Sequence, residues 1–219
     1  MDSLALHILF ILLKLCCVEA SLKAEQNCAK MTRWPFYNPD HIVGKWRVYY
    51  TWGSYKKPCL DVVIKPMTQM KKNQLTGTFK RIFVDEHTWT DSELMVSIGR
   101  SEELILFNDG EVPGRYRALV NAHRLTPADK DITMANYAVK AFKFFKYLIL
   151  LNCDQFSGFL MGKFNDKSVS AKEIISLVDD VLPGEHGHFS CIPHMDGRRP
   201  RSEIIGDSAL KSVANLYEE

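Results

Sequence analysis

The sequence has little net charge and few glycines or prolines. Its 219 residues include 28 Lys and Arg against 26 Asp and Glu, a formal net charge of +2. Nucleic-acid-binding domains usually carry a strong basic stripe, so we expect no nucleic acid partner. The 12 glycines and 9 prolines are too few for a collagen-like or low-complexity chain, and 46% hydrophobic residues exclude a disordered one. The composition therefore predicts a globular protein of one domain or two small ones.

The motifs of several enzyme classes are also missing. The sequence contains no Gly-x-Ser-x-Gly elbow, no His-Glu-x-x-His and no phosphate-binding loop. It has no Cys-x-x-Cys pair, which argues against a zinc knuckle or a thioredoxin-like redox site. His186, His188 and His194 lie close enough in sequence to gather around copper or zinc, but they follow Pro183-Gly184, where loop histidines are usually solvated. We therefore expect a protein that is not an enzyme and holds no metal.

The longest apolar run lies at the N-terminus. Leu4 to Val18 is interrupted by His7 and Lys14 and is shorter than the roughly 20 apolar residues of a membrane span. Ala20, which precedes Ser21, ends a segment with the small residues that signal peptidase recognises. We predict a signal peptide over residues 1–20, a secreted mature chain that begins at Ser21, and no membrane span. An uncleaved N-terminal anchor is the alternative.

Removal of the predicted signal peptide leaves four of the six cysteines. These are Cys28, Cys59, Cys153 and Cys191. An even number of cysteines in a secreted chain predicts two disulfides. Four cysteines allow three pairings, and their spacing alone does not choose among them.

Alternating hydrophobicity dominates the mature chain and predicts β-strands. The predicted strands are 44–52, 59–67, 74–84, 88–98, 104–107, 115–120, 132–145, 147–153 and 156–164. Residues 104–107 are a short apolar run rather than an alternating segment. Many short strands separated by turn signals are typical of an all-β sandwich or barrel.

One segment after the strands predicts a helix. Ser170 and Glu173 have the spacing of a capping box, in which each side chain bonds the backbone of the other residue. An apolar stripe at helical spacing follows, formed by Ile174, Leu177, Val178 and Val181. We expect this helix to pack on the outside of the sheet. A weaker helical pattern covers residues 208–216.

These features together resemble the lipocalin family. Gly44-x-Trp46 opens the first strand of a secreted chain with eight or nine strands, a late helix and four cysteines. The combination is most similar to the two-disulfide insect lipocalins, such as the bilin-binding and blood-feeder members, and covers about residues 28–195. The resemblance implies an all-β fold: an eight-stranded up-and-down antiparallel barrel with one C-terminal helix outside. It also implies the pairings Cys28–Cys153 and Cys59–Cys191.

The chain departs from the family pattern in two places. Lipocalins often carry Thr-Asp-Tyr before the seventh strand, where this chain has Phe142-Lys143-Phe144. An arginine near the end of the last barrel strand usually covers the motif tryptophan, and Lys163 is the nearest candidate for that role. We divide the chain into the signal peptide 1–20, a barrel domain 21–195 and a polar tail 196–219.

The resemblance and the parity of the strands predict the ligand site. Trp46 would plug the closed end as a structural residue, and residues of its parity on the same strand should point inward. The predicted lining residues are Val48, Tyr50, Trp52, Phe79, Phe83, Leu94, Val96, Leu106, Tyr116 and Ile149. Tyrosine hydroxyls within an apolar wall would suit an amphipathic guest.

Two functions remain open. The first is a secreted carrier or scavenger of a small lipophilic molecule, such as a fatty acid, a pigment or a retinoid-like compound. The alternative is an interaction protein with a filled barrel, whose loops inhibit a protease or bind a host protein. Some blood-feeder lipocalins bind haem through a histidine, so a tetrapyrrole guest is included, with His87 and His123 as candidate ligands. The sequence makes no prediction of oligomeric state.

Overall fold

The computed structural model describes most of the barrel domain. The described residues are 26, 28–32, 38–53, 55, 59–78, 88–110, 112–126, 134–164, 166 and 169–191. The predicted signal peptide, the polar tail and the helical pattern at 208–216 lie outside them.

Eight antiparallel strands form a closed up-and-down barrel, which confirms the predicted fold class. Each strand pairs with the next one along the chain, and β8 returns to pair with β1. The strands are β1 (Gly44–Trp52), β2 (Asp61–Pro66), β3 (Ser92–Ile98), β4 (Glu102–Asn108), β5 (Arg115–Val120), β6 (Ala135–Phe142), β7 (Tyr147–Asn152) and β8 (Ser157–Lys163). Closure leaves few free strand edges.

A short ninth strand and several helices surround this barrel. The ninth strand, β9 (Gly187–Phe189), pairs with the second half of β1, whereas β2 pairs with its first half. The helices with fully described bounds are α1 (Pro39–Ile42), α2 (Gln69–Thr78) and α3 (Ala171–Val181), with short 3-10 turns at Trp89–Asp91 and Ala122–Arg124. Residues 28–32 are also helical. Among the described helices, none has both the length and the apolarity that crossing a bilayer would require.

Apolar side chains from all eight strands fill the barrel. We call this set the interior cluster: Ile42, Trp46, Val48, Leu60, Val62, Ile64, Leu94, Val96, Ile98, Leu104, Leu106, Tyr116, Ala118, Tyr137, Val139, Leu148, Leu150, Phe159 and Met161. Every member is buried. Burial of so much apolar surface is the main favourable contribution to folding.

Trp46 closes one end of the barrel, the position expected for the plug. Its side chain is fully buried, and its indole N–H donates to the carbonyl of Ile42 at 2.8 Å. Lys163 covers the ring, with Nζ 4.1 Å from the ring centroid. Lys163 therefore covers the tryptophan, and a cation over an indole face is a favourable contact.

A β-bulge in the middle of β1 changes which face its side chains occupy. Val48 lies opposite Met161 of β8 and Tyr50 lies opposite Leu160, so two residues of β1 span one step of β8. Tyr49 is therefore the extra residue. Before the bulge the even-numbered side chains point into the barrel, and after it the inward position passes to Thr51, which pairs with the interior residue Phe159.

The outer face of β1, β7 and β8 is covered by α3, β9 and residues 28–32. We call this set the outer cluster: Cys28, Met31, Tyr49, Tyr50, Trp52, Ala138, Tyr147, Ile149, Leu151, Cys153, Leu160, Val169, Ile174, Leu177, Val178, Leu182, Phe189 and Cys191. Both predicted disulfides are present, Cys28–Cys153 and Cys59–Cys191. They attach the N-terminal segment and β9 to the barrel.

The predicted strand over residues 74–84 is wrong where the structure describes it. Residues up to Thr78 belong to α2, and Leu75 is buried with Trp89 against the outer face of β4. Leu75, Phe79 and Phe83 are spaced by four residues, which fits a helix as well as a strand. Residues 79–84 lie outside the described part of the chain.

Helix α3 begins where the sequence predicts and is tied to the barrel by Glu173. Ser170 caps the helix by accepting from the backbone N–H of Glu173 at 3.2 Å. The carboxylate of Glu173 accepts from Lys146 Nζ at 2.6 Å and from the Tyr147 hydroxyl at 2.5 Å. These hydrogen bonds, first that of Lys146 and then that of Tyr147, lower the pKa of Glu173 to about 2.

The low pKa of Glu173 predicts a pH-dependent contribution to stability. The folded state holds the charged carboxylate, so its stabilising effect is present above the pKa of the unfolded chain, about 4.3, and is lost as the pH falls towards the folded value. Glu173→Gln should therefore destabilise the protein most near neutral pH, and the difference from wild type should shrink at acidic pH. Urea unfolding at a series of pH values measures this. A difference that does not vary with pH would contradict the assignment.

Candidate functional site

A cavity opens at the end of the barrel opposite Trp46. It has a volume of about 500 Å³ and lies where the β1–β2, β3–β4, β5–β6 and β7–β8 connections meet. We call it the mouth cavity, lined by Tyr55, Ser101, Glu102, Val120, Asn121, Arg124, Ala135, Tyr137, Asn152, Gln155 and Ser157. Small-molecule sites typically occupy about 300–1,000 Å³, so the cavity has the size of a ligand site.

Tyr137 and Asn152 form one wall of the cavity. They lie opposite each other on β6 and β7, and the Asn152 amide donates to the Tyr137 hydroxyl at 3.2 Å. The side-chain oxygen of Asn152 also accepts from the backbone N–H groups of Asp154 and Gln155, at 2.9 and 3.0 Å. Asn152 therefore fixes both the phenol and the β7–β8 turn.

Tyr55 reaches across the mouth from the β1–β2 connection. Its hydroxyl donates to Glu102 Oε2 at 3.0 Å, at the start of β4. Its ring packs on Phe159, with the ring centroids 4.5 Å apart. The side chain thus links the β1–β2 connection to β4 above the interior cluster.

Both phenols of the cavity are neutral hydrogen-bonding groups. Burial is the main cause that raises the pKa of Tyr55, and the negative charge of Glu102 raises it further. Burial also raises the pKa of Tyr137, against a smaller opposite effect from the hydrogen bond of Asn152. Each phenol therefore keeps its proton at physiological pH.

The cavity carries one charge of each sign and a small apolar area. Glu102 is half-buried, whereas Arg124 is exposed. A half-buried charge is less screened by salt than an exposed one, so Glu102 dominates the electrostatics inside. Val120 and Ala135 supply apolar surface beside these groups. The arrangement suits recognition of a small amphipathic molecule by hydrogen bonds and by the carboxylate.

Within the described ranges, no group of three His, Cys, Asp or Glu side chains lies together as a metal site would require. His188 lies on β9 with Nε2 against a backbone carbonyl, and His186 precedes it in the same segment. His123 lies in the exposed 3-10 turn beside the mouth. His87 and His194 are outside the described residues.

Five of the ten predicted lining residues belong to the interior cluster but not to the mouth cavity. They are Val48, Leu94, Val96, Leu106 and Tyr116. Their inward orientation agrees with the strand parity. They pack against one another below the cavity.

Three other predicted lining residues, Tyr50, Trp52 and Ile149, lie in the outer cluster, which corrects their expected inward orientation. The bulge at Tyr49 turns Tyr50 and Trp52 outward, and the Tyr50 hydroxyl accepts from the Gly187 N–H at 2.8 Å. Ile149 has the opposite parity to the interior residues of β7. The remaining two, Phe79 and Phe83, lie outside the described part of the chain.

Sequence reasoning missed the polar residues that line the mouth. Glu102 is the first residue of β4 and Asn152 the last residue of β7, whereas Tyr137 is the third residue of β6. Tyr55 lies between β1 and β2. A signal was present: in an up-and-down barrel, alternate connections meet at the same end, so their polar residues and aromatics become neighbours. The parity argument selected only apolar and aromatic side chains, so it passed over Glu102 and Asn152.

Neither a family model nor a curated protein matches this chain. The proposed function therefore rests on the closed barrel, which is plugged at one end and opens to a polar cavity at the other.

Proposed function

We propose that this protein is a secreted, lipocalin-like carrier or scavenger that binds a small amphipathic molecule in the mouth cavity. The observation that carries the proposal is the cavity of about 500 Å³ at the end of the barrel opposite Trp46. Its lining combines phenols, amides and a carboxylate with a small apolar area.

Three features beyond the barrel support the comparison with lipocalins. Gly44-x-Trp46 opens β1, with the indole buried and covered by the amine of Lys163. Helix α3 packs outside the barrel. The two disulfides join the first cysteine of the mature chain to the third and the second to the fourth.

The lining of the cavity favours a guest with a polar head and a short apolar part. A purely lipophilic guest would cover the carboxylate of Glu102 without offering it a hydrogen bond, which costs free energy. An ammonium group beside Glu102 would gain a charge-assisted hydrogen bond. We therefore place an amphipathic amine ahead of a fatty acid, a retinoid-like compound or a tetrapyrrole.

Secretion is part of the proposal and is supported by the two disulfides, since such bonds persist in oxidising compartments. Protein collected from the medium of expressing cells should begin at Ser21 when its N-terminus is sequenced. Protein that stays inside the cells and begins at Met1 would contradict secretion.

The packed interior favours a second candidate, an interaction protein whose barrel is filled. The interior cluster occupies the barrel below the mouth, and residues such as Val48, Leu94 and Val96 are buried against other side chains. In this interpretation the mouth connections contact a protease or another protein, and no small molecule binds.

Calorimetric titration with three eight-carbon probes separates the two candidates. Octylamine should bind with saturation and more tightly than octanol or octanoate, because its ammonium pairs with Glu102. Glu102→Gln keeps the size of the side chain but removes the charge, and should weaken octylamine binding by roughly tenfold or more. Glu103→Gln is the matched control: it removes a neighbouring carboxylate that does not line the cavity and should leave binding unchanged.

The same titration can contradict each claim. Tighter binding of octanoate than of octylamine would show that Glu102 does not select the guest. Absence of saturable binding by all three probes would contradict the carrier function and favour the interaction protein.

A further inference from the structure

Strand β9 contacts the mouth through a side chain that does not line the cavity. His188 Nε2 lies 2.5 Å from the backbone carbonyl oxygen of Tyr55 and 3.0 Å from Thr51 Oγ1. Thr51 Oγ1 itself lies 3.1 Å from the same carbonyl oxygen and can donate to it. Two side chains therefore converge on the backbone of the residue whose phenol crosses the mouth.

The geometry determines the role of the histidine. A carbonyl oxygen only accepts hydrogen bonds, so Nε2 must carry the hydrogen and donate it to Tyr55. Thr51 and His188 lie directly opposite each other in the pairing of β1 with β9, so both side chains are on the same face of the sheet. Without the bulge at Tyr49, Thr51 would lie on the outer face instead.

The strand that carries His188 is firmly attached. Phe189 pairs with Tyr50, and the Cys59–Cys191 disulfide joins the end of this segment to the start of β2. The backbone N–H of Cys59 donates to the carbonyl of Ser190 at 2.8 Å. These restraints make β9 a fixed support from which His188 can hold the backbone of Tyr55.

We propose that His188 is a positioning residue of the mouth cavity. It fixes the backbone of Tyr55 from outside the cavity, so that the phenol reaches Glu102 and completes the lining. The effect on ligand binding rests on the proposed function, whereas the effect on Tyr55 does not. This role requires a hydrogen-bond donor at the position of Nε2. It does not depend on apolar contacts of the imidazole ring.

The first experiment measures hydrogen exchange around Tyr55 in the absence of a ligand. His188→Ala removes the donor, and hydrogen exchange in the segment 53–60, followed by mass spectrometry, should become several-fold faster. His188→Gln can place an amide N–H near the position of Nε2 and should keep exchange close to wild type. His186→Ala, in the same segment, is the matched control and should change nothing. The closed-end turn 109–114 reports any general loss of stability.

The second experiment measures octylamine binding to the same variants. His188→Ala should weaken binding by about threefold to tenfold, the effect of one lost hydrogen bond, and His188→Gln should recover most of it. A requirement for the donor, rather than for packing, is what separates a positioning role from a merely structural one.

The outcomes are distinct. Unchanged exchange in the segment 53–60 of His188→Ala would overturn the proposal, and so would equal losses in His188→Gln and His188→Ala. If His188→Ala does not fold, His188→Gln still decides: exchange and binding near wild type support the role of the donor, and a loss of either overturns it. If wild type binds none of the octyl probes but His188→Ala accelerates exchange only in the loop, the carrier function fails and the positioning role stands.

Discussion

The bulge at Tyr49 is the constraint on which the arrangement of the mouth depends. A β-strand alternates its side chains strictly, so one extra residue exchanges inward and outward positions beyond it. Below the bulge, Trp46 and Val48 point into the barrel and close its lower end. Above it, Tyr50 and Trp52 turn outward and bury their rings with Phe189, while Thr51 turns inward beside His188. One inserted residue thus creates the outer surface on which β9 packs. It also places Thr51 where it can hold the backbone of Tyr55 together with His188.

This change divides the barrel into two regions of different chemistry. The lower region is a packed apolar core, where burial of side chains supplies stability. The upper region is bordered by hydrogen-bonding groups, with Tyr55 crossing to Glu102 and Asn152 holding Tyr137. A guest in the mouth would gain specificity from these groups, since leaving a buried polar group without a partner is costly. Apolar contact would then contribute affinity at the rim.

The sequence predicted the strands and helix α3 because each of these elements depends on a pattern within a short segment of the chain. Eight of the nine predicted strand segments match the barrel strands, and Ser170 marked the start of α3. The cysteines form the pairs that the family resemblance implies. The bulge escaped prediction because residues 49–52 are three aromatics and a threonine, which can be accommodated on either face. Leu148–Leu151 is apolar throughout, so parity could not assign Ile149. The mouth residues lie in four separate connections and in the strands beside them, and only closure of the barrel brings them together.

The central claim is that the mouth, and not the barrel interior, receives a small amphipathic molecule. Chemical-shift mapping of the ¹⁵N-labelled protein during titration with octylamine tests it most directly. The account predicts saturable shifts in the backbone amides of mouth residues such as Ser101, Asn121 and Gln155, with the indole N–H of Trp46 unaffected. Shifts that centre on Trp46 and the closed end, or no saturable shifts at the mouth, would contradict it.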